Sequence, residues 1–255
     1  MKLCKPAPDT MLIGTFIKTN SVHVVEILGL SSLDFGVLDA EHAPLDRSAL
    51  DLLMLAGRAA NWPLIVRIPD TTPSTILSVL DIGAAGLLVP HVDSAEFARA
   101  VVAKARYQGG ERGFSSSPRA ARYGTLSMKD CLKAAQGSLI MAQIESEAAV
   151  DSVQEILAVD GIDGIFIGRA DLALSFELDD PRDSRISQAT RHVLESARSA
   201  GKIAGIAVGN VSERDEFAAM GANWIVVGSD QSLLRQAAQT AAAPSKIAQS
   251  RPPGT

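Results

Sequence analysis

Aromatic side chains are scarce in this sequence. Phe, Trp and Tyr make up 4% of the 255 residues, although hydrophobic residues of all kinds reach 47%. Ala, Leu, Val and Ile must fill the core, which suits layers of parallel strands and helices. Basic blocks are missing too. No Lys/Arg block of five or more occurs and the formal charge is −5, so the electrostatic footprint of a nucleic-acid binder is absent. Nothing approaches ~18 uninterrupted apolar residues, and the opening MKLCKPAPDT lacks the apolar run of a secretory leader. A cytoplasmic protein that spans no membrane is expected. Cys4 and Cys131 are the only cysteines and share no motif spacing. They read as reduced thiols, not as a disulfide framework or a zinc site. Phosphate-cradling glycine loops are also lacking, since neither GxGxxG nor GxxxxGK[ST] occurs.

What is present is a rhythm. Eight short apolar runs cover 11–17, 33–40, 63–68, 86–92, 138–144, 161–169, 202–208 and 223–228. They are too short for independent helices and near-continuous rather than alternating, as strands covered on both faces are. Helical patterns separate them at 18–30, 46–60, 72–84, 94–107, 146–158, 183–200, 212–222 and 232–243. Asp46 is placed to cap one of these; Pro73 opens another and Gly83 closes it. The alternation predicts a (β/α)8 TIM barrel, with an open doubly wound sheet as the runner-up. One domain over 1–255 is expected, with 244–255 as a flexible tail. The segment 108–137 breaks the rhythm.

In such a barrel the active site gathers at the carboxyl ends of the strands. The second run ends in LDAEHAP, with Asp39, Glu41 and His42 close together; the third ends in Arg67. The fourth ends near Pro90 and His91, the fifth in Gln143 and Glu145, and the sixth runs into Gly168, Arg169, Ala170 and Asp171. The last two runs end in the blander Val208–Gly209–Asn210 and Gly228–Ser229–Asp230. Glu145 and Asp171, on adjacent strands, suit one hard divalent cation that keeps positions for water and substrate oxygens. Each could equally cap the helix that follows. Arg67 suits a carboxylate, keto or enolate oxygen, or a structural ion pair. His42 is the candidate proton shuttle, with Asp39 three residues earlier as its orienting partner. Glu41 is either beside Asp39 at the mouth or tied into structure. The backbone from Gly168 to Asp171 could receive a substrate carboxylate at a helix start. The hydroxyl- and Arg-rich stretch 112–124 could be a polar lid or a solvated loop. The strand-end residues collected here include no lysine, which argues against an imine route.

LDAEHAP, LIVR, DIGAAGLLVPHV, RGFSSSPRA, QIES and GIDGIFIGRADLA, in that order, resemble the metal-dependent (class II) pyruvate aldolases of the 4-hydroxy-2-oxoheptanedioate and 2-keto-3-deoxy-sugar-acid aldolase type. The likeness runs from about residue 11 to 240. It implies a barrel of the pyruvate/phosphoenolpyruvate-binding type that cleaves a 4-hydroxy-2-oxo acid to pyruvate and an aldehyde. It further implies a homo-hexamer, a trimer of dimers with exchanged terminal helices. By the same resemblance Glu145 and Asp171 bind Mg²⁺, Mn²⁺ or Co²⁺, Gln143 supports the metal's water shell, and Arg67 contacts the keto oxygen. His42 is the acid/base, oriented by Asp39. Ser116 contacts substrate, and the backbone around Gly168, Ala170 and Asp171 takes the pyruvate carboxylate. No other cofactor is implied. Arg169, where many relatives carry Pro, and His91 ring the expected mouth; Arg169 either favours acidic or phosphorylated aldehydes or faces solvent. Alternatives are an oxaloacetate decarboxylase or acyl-CoA lyase using the same metal-enolate site, and an inactive binding barrel.

Overall fold

Eight strands alternate with helices and close on themselves. The computed structural model describes residue 3 and residues 10–243, so Cys4 and the segment 244–255 lie outside the described residues. The elements are β1 (Leu12–Ile17), α1 (Val22–Gly29), β2 (Phe35–Asp39), α2 (Arg47–Ala59), β3 (Leu64–Arg67), α3 (Pro73–Asp81), β4 (Gly86–Val89) and α4 (Ala95–Ala105). A 3-10 stretch (Arg119–Gly124) and α5 (Met128–Ala135) precede β5 (Leu139–Ile144). Then come α6 (Glu147–Asp151), α7 (Val153–Leu157), β6 (Gly164–Ile167), α8 (Arg169–Ser175), α9 (Ser184–Ser199), β7 (Ile203–Val208), α10 (Val211–Ala219), β8 (Trp224–Ser229) and α11 (Asp230–Ala242). Every strand pairs in parallel with its sequence neighbours, and β8 pairs with β1. This is the (β/α)8 barrel that the alternation predicts, and the closing pair excludes an open sheet. Among the described residues no helix is long and apolar enough to cross a membrane.

Local chemistry explains the helix starts. Asp46 accepts from the Ala49 amide at 2.8 Å and Ser94 from the Phe97 amide at 3.1 Å, so both cap as N-cap residues should. Pro73 opens α3 behind the cap Thr72, and Gly83 follows that helix with φ +94°. The pattern over 146–158 proves to be two short helices that meet at Ser152, whose backbone (φ −92°, ψ 4°) leaves the helical region.

Two apolar layers form. Residues such as Leu38, Leu64, Val66, Leu87, Val89 and Ile165 face outward and pack under the helices. Inside the barrel lie Phe16, Phe35, Val37, Ile65, Leu88, Met141, Phe166, Trp224 and Val226. Four of the eleven aromatics lie there. Phe35 stacks on Trp224 with centroids 4.1 Å apart, and Phe166 meets Trp224 edge-on at 5.7 Å. Gly14 makes this possible, because a Cβ there would collide with the Phe35 ring. Side chains alternate along each strand, so Phe35 and Val37 point inward and Asp39 is the next inward position. The same parity carries Ile65 to Arg67, and Leu139 and Met141 to Gln143 and Glu145.

Candidate active site

At the carboxyl ends of the strands the inward layer turns from apolar to charged. Asp39 and Arg67 are the last residues of β2 and β3 and sit opposite each other in register. Arg67 Nε donates to Asp39 Oδ1 at 3.0 Å, and Nη2 donates to Oδ2 at 2.7 Å, a bidentate pair. The guanidinium lies 4.8 Å above the Phe16 ring. Lys18 Nζ approaches Asp39 Oδ2 at 3.1 Å, and the His42 backbone N–H donates to Oδ1 at 3.1 Å. Burial alone would raise the Asp39 carboxyl. The Arg67 hydrogen bonds and charge, with the His42 amide and Lys18, outweigh it and bring the pKa down to about 2.

Asp39 was expected to orient the His42 imidazole. The structure shows otherwise: Asp39 holds the His42 backbone, while the imidazole Nε2 lies 3.7 Å from Glu41 Oε2. Asp39 is fully buried and its side-chain partners are cations on β3 and just beyond β1, whereas the His42 ring is 54% exposed at the rim. Glu41 joins the site. Its Oε2 is 3.3 Å from Arg67 Nε, its Oε1 is 3.6 Å from His91 Nε2, and among the described residues Oε2 has no hydrogen-bond partner. Burial raises the Glu41 carboxyl, with the Glu145 charge adding, against the pull of Arg67, His42 and His91.

Gln143 and Glu145 close the other side. The Gln143 amide donates to Glu145 Oε2, and Glu145 Oε1 accepts the His91 backbone N–H at 2.7 Å with His91 Nδ1 at 3.0 Å. His91 takes φ +53° to make that approach, a backbone conformation unusual for a residue with a side chain. Gly168 lies against Glu145; a Cβ there would stand 2.9 Å from Oε2. Asp171 is on the first turn of α8, half-buried, one turn beyond Gly168. The Gly168 N–H is spent on Ile144 O, so of the backbone groups expected to meet a carboxylate, those of Ala170 and Asp171 remain.

Three residues are placed differently from expectation. Arg169 is tied to protein groups rather than free in solvent. It donates to Glu213 Oε2 at 2.8 Å and to Ala207 O at 3.2 Å, over the Phe217 ring at 4.6 Å. Ser116 is exposed and makes no hydrogen bond to the mouth among the described residues. Its segment joins α4 to β5, and a helix-to-strand connection lies at the amino ends of the strands. Arg112 accordingly pairs with Asp81 at the end of α3, at 2.7 Å. There the segment lines a cavity of about 590 Å³ with Trp62, Ala85 and Ser138. The third is Lys18. The helical pattern over 18–30 includes it, yet α1 begins only at Val22, so Lys18 follows β1 directly and is a strand-end lysine.

No group of three or more His, Cys, Asp or Glu forms a metal cluster among the described residues. The available set is Glu145, Asp171 and the Gln143 amide. Among the described residues Gln143 Oε1 is a buried acceptor without a partner, and Glu145 Oε2 keeps a lone pair beyond the hydrogen bond it accepts from Gln143. An all-oxygen set with few protein donors fits a partly hydrated hard cation.

Comparison with known proteins adds to this geometry. A family model described as HpcH/HpaI aldolase/citrate lyase matches residues 12–237. The chain is 36% identical over 236 residues to a 5-keto-4-deoxy-D-glucarate aldolase of Enterobacter sp. (strain 638), covering 91% of each chain. A solved HpcH/HpaI aldolase/citrate lyase family protein from Burkholderia cenocepacia J2315 superposes with TM-score 0.87 at 31% identity, over 91% of this chain and 93% of that one. A solved structure described as citrate synthase SbnG gives TM-score 0.83 at 26% identity, over 95% of this chain and 96% of that one.

Proposed function

This chain belongs to the HpcH/HpaI aldolase/citrate lyase family and is a lyase of the aldolase kind; from that premise we propose that it cleaves a 4-hydroxy-2-oxo acid to pyruvate and an aldehyde with the help of a divalent metal ion. The observation that carries this reading is the ring of inward strand-end groups, an amide on β5, an acid just beyond it and an arginine ending β3. Glu145 and Asp171 would hold the cation, with Gln143 Oε1 turned to it or to its water. Bound there, a divalent ion supplies Lewis-acid stabilisation of an enolate.

The chain's own groups do the rest. Two donors of Arg67 are committed to Asp39, which fixes the guanidinium plane and leaves Nη1 for the keto oxygen as negative charge develops on it. Because Asp39 stays ionised far below neutral pH, this orientation persists through the working range. His42 accepts the proton of the C4 hydroxyl as the C3–C4 bond breaks, and Glu41 rather than Asp39 is the carboxylate that steadies its ring. The substrate carboxylate meets the amides of Ala170 and Asp171.

Pyruvate release from 4-hydroxy-2-oxo acids, with and without EDTA, tests the reading. Activity should vanish with chelator and return with Mg²⁺ or Mn²⁺; undiminished turnover in EDTA would refute the metal-dependent mechanism. Arg67→Ala should slow proton exchange at pyruvate C3, followed by NMR, on the order of 100-fold or more. Exchange at the wild-type rate would remove Arg67 from the enolate. The proposal extends to assembly as a homo-oligomer, a hexamer built as a trimer of dimers. It is supported by α11, which is exposed along nearly its whole length.

A further inference from the structure

We propose that Lys18 is a specificity residue that binds a carboxylate on the aldehyde half of the substrate. The inference rests on the aldolase reading and concerns the part of the site that pyruvate does not fill.

Three observations converge. The first is placement. In the closed ring β1 stands across the barrel from β5, so Lys18 faces the mouth from the side opposite Glu145. A substrate whose 2-oxo acid end sits at β5 and β6 extends its remaining carbons toward β1. The second is support. The buried Asp230 accepts the Lys18 N–H at 2.9 Å and the Thr19 N–H at 3.0 Å, which fixes the turn after β1. Phe16 lies beneath the ammonium at 5.9 Å, and Asp39 Oδ2 holds it at 3.1 Å. The third is availability. The side chain is 27% exposed, and an ammonium has three donors, of which Asp39 engages one.

Among the described residues the arginines of the mouth are committed. Arg67 is nearly buried and shared between Asp39 and Glu41, with its remaining Nη1 assigned to the keto oxygen of the pyruvate half, and Arg169 is bound to Glu213 and Ala207 O. Asp39 already takes the His42 amide, two Arg67 donors and Lys18, so it has no room for a further ligand. Lys18 is therefore the cation that can turn remaining donors toward an incoming anion while Asp39 keeps it in place. A carboxylate is the anion that matches a single ammonium best here. A phosphate monoester carries close to two negative charges and would call for a second cation beside Lys18, which the committed arginines do not supply.

The experiment compares acceptors in the aldol direction, with pyruvate, metal and the full chain. Glyoxylate carries a carboxylate; glycolaldehyde is an uncharged aldehyde of similar size. In Lys18→Met the ratio of kcat/KM for glyoxylate to that for glycolaldehyde should fall roughly 10- to 100-fold, the worth of one charge-assisted hydrogen bond. Lys18→Arg should restore most of the ratio. Equal losses on both acceptors would show that Lys18 acts only through Asp39, and an unchanged ratio would show no contact; either overturns the proposal. A greater drop with glyceraldehyde 3-phosphate than with glyoxylate would replace the carboxylate by a phosphate. Inactivation by borohydride with pyruvate, with the added mass on Lys18, would make it an imine-forming group instead. Wild-type protein without aldol activity would overturn the aldolase reading itself, whereas wild-type turnover with an unaltered mutant ratio overturns only the assignment of Lys18.

Discussion

Inward parity decides what a strand-end residue becomes in this barrel. Arg67 and Glu145 were legible because each is a charge ending an apolar run, and an inward position at the mouth is where such a charge can be solvated by substrate. Glu41 and His91 were not resolved from the sequence, because what defines them is each other and Glu145, which sit on different strands. Nothing local encodes a φ of +53° at His91. Gly168 carries the sharpest residue-scale expectation. Glu145 is pinned by the His91 amide and by Gln143, so it cannot swing away from a Cβ placed 2.9 Å from Oε2. Gly168→Ala should fold normally but bind Mn²⁺ on the order of 10–100-fold more weakly, as disturbing the groups that orient a ligand does. Titration calorimetry giving the wild-type affinity would contradict the placement of the cation at Glu145.

Single elements are legible in the sequence where a cap or a stop residue marks them, and not where topology sets their role. Thr72, Asp46 and Ser94 start helices because their side chains take an otherwise unpaired backbone N–H. Segment 108–137 offered hydroxyls and arginines that suit a lid, but a connection from α4 to β5 lies at the far end of its own barrel from the chemistry. Lys18 falls inside a helical pattern drawn four residues early: Thr19, Asn20 and Ser21 are all N-cap residue types, and only the extended backbone of Ser21 marks it as the N-cap. The last element poses its own question. α11 shows Leu234 73% exposed and packs on the barrel mainly through Asp230 at its start. A helix with an uncovered leucine gains by covering it against another copy, roughly 2 kcal/mol for a full side chain. Leu234→Glu should therefore sediment as a smaller species than the wild type; an unchanged mass would separate α11 from the assembly.

Closure of the whole barrel brings a single buried carboxylate under two cations, and this couples stability to pH. Asp39 titrates at about 2 in the folded chain against an ordinary 3.8, so the folded form binds fewer protons near pH 3 than the unfolded chain does. The stabilisation is fully present above the unfolded value and is lost as pH falls through the folded one. It amounts to roughly 2 kcal/mol at neutral pH. Asp39→Asn removes it. Urea unfolding should show the gap between wild type and Asp39→Asn narrowing by about 1 kcal/mol from pH 6 to pH 3. A gap independent of pH would mean that the carboxylate's charge is not what stabilises the pair with Arg67. The sequence by itself determined the strand count, the helix starts that carry a cap, and the acids and arginine at the mouth, because period, caps and run endings are properties of neighbouring residues. Tertiary structure alone decided the pairings. It joined Asp39 to Arg67 and Lys18 instead of the His42 ring, tied Arg169 to Glu213, and carried Ser116 to the opposite end. Each of these depends on which strands lie side by side when the ring closes and on their register, and no local pattern specifies that.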